Sequence, residues 1–348
     1  VNIALIVGGI SAEREVSLSS GRSILKALRE NGHNVTVIDP VYGAEKIPEE
    51  IIFRDSVSQI YPDINSLQDL KTKSYDKILS CFSSDLFKNI DIAFIGLHGK
   101  FGEDGRIQAI LEARGIKYTG SGVVSSGLAI DKDFSKIVFR HNNILTPDWF
   151  TLRKNDKTNI KSLIEKTKLN IGLPFVVKPC DEGSTVGLTI LYDFEENTFV
   201  KAIELAFRYS DKILIEQYIK GKEITVAVID DTSYPVIEIR PKNGYYDYHH
   251  KYTSGMTEYI CPAEIPEVTA LSIRETGLRA HNSLDCCVYS RVDFILDGEE
   301  RAYCLEVNTL PGMTSLSLVP KSAKVAGMEF NQLIENIINL SLNKYTKN

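Results

Sequence analysis

The chain has 348 residues, 43% of them hydrophobic and 25% charged, with a formal net charge of −6. This is a globular composition, long enough for two or three domains, and a pI of about 5.7 argues against a basic nucleic-acid-binding face while leaving room for a locally basic site. The sequence contains no run of ~18 apolar residues, so no membrane span is expected, and its six cysteines form no C-x-x-C pair, as expected of a chain in a reducing cytoplasm.

In chain order, "NIALIVGG" is an aliphatic strand ending in glycines; without a basic n-region it reads as a first strand and not as a signal peptide. "EVSLSSGRSILKALRENG" has helical spacing, with Leu18, Ile24, Leu25 and Leu28 on one face and Gly32 as the stop. "HNVTVIDP" and "IDIAFIGLHG" are further strands, and "RIQAILEARGI" is a helix. Strand, glycine turn, helix and strand make a βαβ unit, so this sheet should be parallel, with a domain boundary near residue 120. Residues 43–89 are polar with scattered apolar positions, an excursion from the first domain whose role the sequence does not reveal.

A helix is expected over "SSGLAIDKDFSKIVFRHNN", then two strands around a Gly/Ser loop in "PFVVKPCDEGSTVGLTIL" and an amphipathic helix in "ENTFVKAIELAFRYS". "ILIEQYI", "EITVAVI" and "YPVIEIR" read as one antiparallel sheet of a third segment. Residues 242–262 form a long Tyr/Gly/His/Lys loop, "SIRETGLRAHNSLD" a helix, "SRVDFIL" and "RAYCLEV" a hairpin turned at Asp297-Gly298, and "MEFNQLIENIINLSLN" a closing helix. The domains are placed at 1–120, 121–215 and 216–348. No internal repeat is visible.

Three places carry chemistry. Alternate residues of a strand share a face, so Glu306 and Asn308 point one way and, across the hairpin, Arg291 and Asp293 do likewise. Two carboxylates and an amide without His or Cys are hard oxygen donors suited to Mg²⁺, although acids at strand tips are also ordinary solvated polarity. Lys178 ends a buried strand before a loop whose Gly183 and Gly187 let backbone N–H groups approach a polyphosphate; this is no Walker A loop, and Lys132 could add charge. Glu216 and Glu223 flank a linker that could offer its backbone to an adenine edge and an acid to ribose hydroxyls.

Together these segments resemble the D-alanine–D-alanine ligases of the ATP-grasp superfamily. The likeness runs in order through "VGGISAEREVSLSSG", "LHGKFGEDGRIQAILE", "YTGSGVVSSGLAIDK", "VVKPCDEGSTVG", "YDYHHKYTSGMTEYICPA", "SRVDFIL" and "LEVNTLPGMTSLSLVPKSA". The resemblance implies a mixed α/β and α+β chain of three domains. By that resemblance ATP would be held between two mainly antiparallel sheets, beside a parallel-sheet N-terminal domain. It implies ATP and two Mg²⁺ (or Mn²⁺) ions, two D-alanine substrates, a homodimer and a cytoplasmic, peptidoglycan-building role without nucleic acid or membrane partners. The metal ligands would be Asp293, Glu306 and Asn308, and Lys132, Lys178 and Lys251 would contact phosphates. Glu216, the backbone of Ile219 and Glu223 would hold adenine and ribose.

By the same match Glu15 would hold the ammonium of the first D-alanine, with His98 nearby. Arg291 and the Gly312 backbone would form an oxyanion hole, and Ser317 with the Leu318 backbone would bind the carboxylate of the second D-alanine. The loop 244–260 would act as a lid whose Tyr252 hydrogen-bonds Ser184 and links to Glu15, a residue that favours a dipeptide over an ester product. Gln217, Asp181, Thr185 and the pair His249-His250 depart from the family pattern. The competing expectations are a ligase using D-serine or D-lactate as acceptor, a dinucleotide-dependent oxidoreductase, which would need the absent G-x-G-x-x-G, and a non-enzymatic ATP-binding regulator, which should have lost part of the metal set or Arg291.

Overall fold

The computed structural model describes residues 1–54, 64–156, 159–242 and 256–346. Tyr252, Lys251 and His249-His250, and most of the expected lid, lie outside the described residues.

The first sheet is parallel, in the order β2-β1-β3, from strands β1 (Asn2–Ile6), β2 (Asn34–Ile38) and β3 (Ile92–Ile95). Its aliphatic centre is fully buried, as expected of parallel strands covered on both faces. Helix α1 (Arg14–Glu30) makes the crossover and lays Leu18, Ile24 and Leu28 on the sheet. The same face carries Ser17, whose hydroxyl accepts from Gly8 N at 2.8 Å and donates to Gly96 O at 2.6 Å, tying the two strand ends that open onto the site. The polar excursion contains α2 (Glu49–Ile52) and the twenty-residue helix α3 (Ile64–Ser83), and α4 (Arg106–Ala113) follows β3.

The expected helix after residue 124 is broken in two. α5 (Val123–Ile130) stops at Asp131, whose carboxylate caps α6 (Lys132–His141) by accepting from Asp133 N and Phe134 N. The break aims Lys132, at the first position of α6, towards the neighbouring loop, where it donates to Glu182 O at 2.7 Å.

The central sheet has the order β4-β7-β5-β6, all antiparallel, from β4 (Trp149–Arg153), β5 (Phe175–Pro179), β6 (Thr189–Leu191) and β7 (Lys212–Gln217). Helices α7 (Ile160–Asn170) and α8 (Glu196–Phe207) close its apolar face. Here the structure corrects the sequence reading. "ILIEQYI" was placed with the third segment, but β7 pairs with β4 and β5 and so completes the central sheet across the expected 215/216 boundary. An all-apolar strand is compatible with any buried sheet, so periodicity alone does not select its partner. Strand β4 and helix α7 had no clear sequence signal.

The last sheet has the order β11-β10-β8-β12-β13, with β9 (Thr232–Ser233) pairing beside β8. Its strands are β8 (Gly221–Ile229), β10 (Ile237–Pro241), β11 (Thr257–Ile260), β12 (Tyr289–Asp297) and β13 (Ala302–Asn308), and α9 (Glu267–Ser283) covers one face. Helix α10 (Leu318–Val325) leads into α11 (Phe330–Lys344), which returns to the first domain. There Ile334, Ile337 and Ile338 join the core of the parallel sheet, and His33 Nε2 lies 2.7 Å from Glu335. The chain ends are thereby packed into one body around the site. Among the described residues no helix is long and apolar enough to cross a membrane.

Gly221 starts β8 directly against β12, where a Cβ would lie 2.1 Å from Leu296 O. Gly221→Ala should therefore lower unfolding stability by about 2–3 kcal/mol, read as a lower urea midpoint with an unchanged m-value.

Candidate active site

The two antiparallel sheets enclose a cavity of about 970 Å³, and the parallel-sheet domain closes its inner end with Glu13, Ser20, His98 and Glu103. Its chemistry starts at the β12–β13 hairpin, where Asp293 is paired with Glu306 and Arg291 with Asn308. The expected side-by-side placement holds, but the turn alone does not produce it: the register set at the turn would pair Asp293 with Leu305, and one irregularity shifts it. Phe294 pairs with Cys304 while Asp293 pairs with Glu306, so Leu305 is an extra residue and β13 bulges there. The bulge turns Leu305 as well as Glu306 onto the cavity, which simple alternation forbids.

All three oxygen-bearing side chains line this cavity, and two of them, Asp293 and Asn308, touch. Arg291 grips Asp293 with both arms, Nε at 2.9 Å and Nη2 at 2.7 Å. Thr225 donates to Asp293 Oδ1 at 2.6 Å, and the Asn308 amide lies 3.0 Å from Asp293 Oδ2. Glu306 is paired with Lys132 at 2.9 Å. Cationic side chains thus sit on the two carboxylates, the charge complement that a divalent ion also supplies. Two carboxylates and an amide oxygen are the donor set such an ion takes when it keeps waters and phosphate oxygens as its other ligands, so the residues fit Mg²⁺.

Across the cavity Lys178, at the end of β5, contacts Glu216 at 2.5 Å. Glu216 is only 2% exposed, and its other oxygen lies 2.7 Å from the fully buried Lys136, which also donates to Thr146 Oγ1 and Pro147 O. The two lysines hold Glu216 ionised against the penalty of burial, so its pKa is lowered in spite of desolvation. Lys136, which the sequence reading passed over, is the second of these partners. Ile219, in the link from β7 to β8, and Glu223, near the start of β8, line the same side.

The 181–185 turn folds over the cavity, with Ser184 at φ +52° and Thr185 at φ +63°, a left-handed pair that non-glycine residues adopt only when held. Ser184 donates to Glu13 at 2.5 Å. This corrects the expectation for Glu15. Of the two acids in "AEREV" it is Glu13 that lines the cavity and meets Ser184; Glu15 is not among the lining residues. Glu13 occupies the N-cap position of α1 and Glu15 lies inside the helix, where two residues are a rotation of roughly 200°. Gly183 leaves Glu13 room, since a Cβ there would stand 3.1 Å from Glu13 Oε2.

His98 is buried, with Nδ1 2.8 Å from Leu310 O and Nε2 3.0 Å from Ser20 Oγ, which in turn accepts from Met313 N at 3.2 Å. Burial lowers its pKa, so it is neutral and donates from Nδ1 to the carbonyl. Glu103 accepts from Gly99 N and Leu310 N, so two residues of the first domain fix the "LPGM" turn. At that turn Gly312, Ser317 and Leu318 line one end of the cavity, and Ser317 Oγ accepts from Thr314 N at 3.0 Å.

Burial and the nearby Glu13 carboxylate push Glu103 up to about 8 from an ordinary 4.5. A carboxyl that binds its proton more tightly folded than unfolded stabilises fully below pH about 4.5, and that contribution is lost as pH rises towards 8. Glu103→Gln should therefore flatten the fall of melting temperature between pH 5 and 8; a slope equal to the wild type would contradict this.

The comparisons with known proteins bear on this whole constellation. Residues 2–121 match the family described as D-ala D-ala ligase N-terminus, and residues 138–339 match D-ala D-ala ligase C-terminus. The chain is 42% identical over 351 aligned positions to the D-alanine–D-alanine ligase of Halalkalibacterium halodurans, covering 99% of this chain and 100% of that one. It belongs to the D-alanine–D-alanine ligase family. Among solved structures, the ligase of Bacillus anthracis complexed with ATP aligns at a TM-score of 0.75 and 33% identity, over 99% of both chains. The VanG D-Ala:D-Ser ligase of Enterococcus faecalis aligns at 0.78 and 28%, over 98% of this chain and 99% of that one. The family's fold is the ATP-grasp arrangement expected from the sequence, and it accounts for a cavity between two antiparallel sheets.

Proposed function

We infer that this ligase joins two molecules of D-alanine into D-alanyl-D-alanine while ATP is cleaved to ADP and phosphate, supplying peptidoglycan precursors in the cytoplasm. The observation that carries the reading is full-length membership of the family together with an Arg291–Asp293–Asn308–Glu306 cluster that faces Lys178 across one cavity. A carboxylate is a poor electrophile and its charge repels an amine; phosphorylation removes both obstacles. The carboxylate of the first D-alanine attacks the γ-phosphate and forms an acyl phosphate. The amine of the second attacks that carbonyl, and phosphate departs.

In this reading Glu13 receives the ammonium of the first substrate, beside neutral His98. Arg291 and the Gly312 backbone neutralise the oxyanion, the kind of fixed positive end that is worth most in a site closed to water. Ser317 and the Leu318 backbone orient the carboxylate of the second substrate. Lys132, Lys178 and Lys251 contact phosphates, while Ile219, Glu223 and the braced Glu216 face adenine and ribose. Asp293, Glu306 and Asn308 would hold two Mg²⁺ ions, which when bound supply charge neutralisation for the triphosphate. A homodimer is the proposed assembly.

The reading is tested by phosphate release with ATP and Mg²⁺, offering D-alanine, L-alanine, D-serine and D-lactate in turn. Release with D-alanine alone and a D-Ala-D-Ala product by mass are expected. Efficient mixed product with D-serine would move the acceptor assignment, and no release with D-alanine would overturn the reading.

A further inference from the structure

The turn that covers the cavity contains a conflict. "KPCDEGST" places two acids, Asp181 and Glu182, immediately before Gly183 and Ser184, on a loop that in the proposed function lies against a triphosphate. Two carboxylates in that position repel the ligand they are meant to cover. The structure answers each of them from another domain. Lys100, in the loop after β3, reaches across to lie 2.9 Å from Glu182 Oε1 and 3.2 Å from Asp181 Oδ1, and its ammonium also donates to Tyr209 O at 2.9 Å.

The site of this contact is enclosed, with side-chain exposures of 19% for Lys100 and 14% for Glu182. Lys71, on α3 of the polar excursion, is half-buried in the same field and feels both Asp181 and Glu182. The obscure segment 43–89 thereby brings a second positive charge to the same pair of acids.

We propose that Lys100 is a positioning residue that neutralises Asp181 and Glu182 so that the 181–185 turn can close on the phosphates of ATP. It lines no part of the cavity itself and acts through the turn. Lys132 holds the Glu182 carbonyl and Glu13 holds Ser184, which fixes the turn's geometry; Lys100 removes its charge. The proposal rests on the ATP-dependent reading above and adds to it a requirement for a lysine outside the pocket.

The test is nucleotide affinity, measured on the full chain by displacement of a fluorescent ATP analogue with ATP and with AMP. Lys100→Met should weaken ATP binding by about tenfold or more, since it leaves two acids beside the triphosphate without the lysine that contacts them both, and should change AMP binding by less than about threefold. Lys100→Arg should stay near the wild type. Adding D181N and E182Q to K100M should bring ATP affinity back to within about threefold, which loss of a merely structural tether would not do. Unchanged ATP affinity in K100M, or a triple variant as weak as K100M, overturns the proposal. Should K100M fail to fold, D181N/E182Q with Lys100 intact still decides: it should bind ATP at least as tightly as the wild type, and a tenfold loss overturns the idea. Because no turnover is needed, a wild-type chain that fails to bind ATP counts against the functional reading, whereas wild-type binding with no effect of K100M counts against this inference alone.

Discussion

Replacing Arg291 by alanine should abolish dipeptide formation, lowering kcat by about 10³-fold or more, while ATP affinity changes by less than about fivefold. The guanidinium is clamped on Asp293 by two hydrogen bonds, and the Asn308 amide donates to the same carboxylate. In the proposed mechanism it meets charge that develops only as the carbonyl becomes tetrahedral, so its loss should fall on kcat and leave ground-state nucleotide binding largely intact. Lysine should not substitute, because one ammonium cannot reproduce the planar fork that Asp293 accepts. Phosphate release and nucleotide displacement, run on the same preparation, separate the two quantities. Retention of more than a tenth of wild-type turnover would remove Arg291 from the chemistry.

The second large effect separates two neighbouring acids. Glu13→Gln should raise KM for the first D-alanine by about 10²-fold, because it removes the carboxylate that faces the cavity and accepts from Ser184. Glu15→Gln should change it by less than about threefold. Initial rates across D-alanine concentrations, fitted for both substrate sites, distinguish them. The opposite ranking would restore the assignment that motif matching alone suggested.

That pair shows what sequence can and cannot resolve. "AEREV" announces an acid at a helix start, but which glutamate faces the site depends on where the first helical turn begins, and capping geometry decides that only in three dimensions. The βαβ unit was legible because aliphatic strands and an amphipathic helix alternate with unambiguous periods. The β12–β13 hairpin was legible from its Asp297-Gly298 turn, although that turn's register alone would set Asp293 opposite Leu305 and not Glu306. The bulge at Leu305 was not, since one extra residue leaves no mark on composition. Strand β7 illustrates the same limit at larger scale: its aliphatic run proclaims burial and says nothing about which sheet receives it.

Buried charge was the least legible feature. Lys136 reads as one more helix-surface lysine in "DKDFSKIVF", yet it is fully buried and braces Glu216. Glu103 sits in "GEDG", where glycines on either side suggest a loop, and nothing local announces that it caps the "LPGM" turn more than two hundred residues away. Such partners are chosen by tertiary packing, and a charged residue without its partner in view looks like solvated surface. Asp181 reads in the sequence only as a departure from the family pattern, yet Lys100 lies 3.2 Å from its carboxylate.

The most direct test of the account follows the oxygen atoms. D-alanine carrying ¹⁸O in both carboxylate positions is incubated with the enzyme, ATP and Mg²⁺, and the released phosphate and the dipeptide are examined by mass. If the first carboxylate is phosphorylated and then displaced by an amine, each phosphate carries one ¹⁸O from D-alanine and the new amide carbonyl keeps the other. Phosphate free of label, with dipeptide still formed, would contradict the acyl phosphate and with it the reading of this cavity.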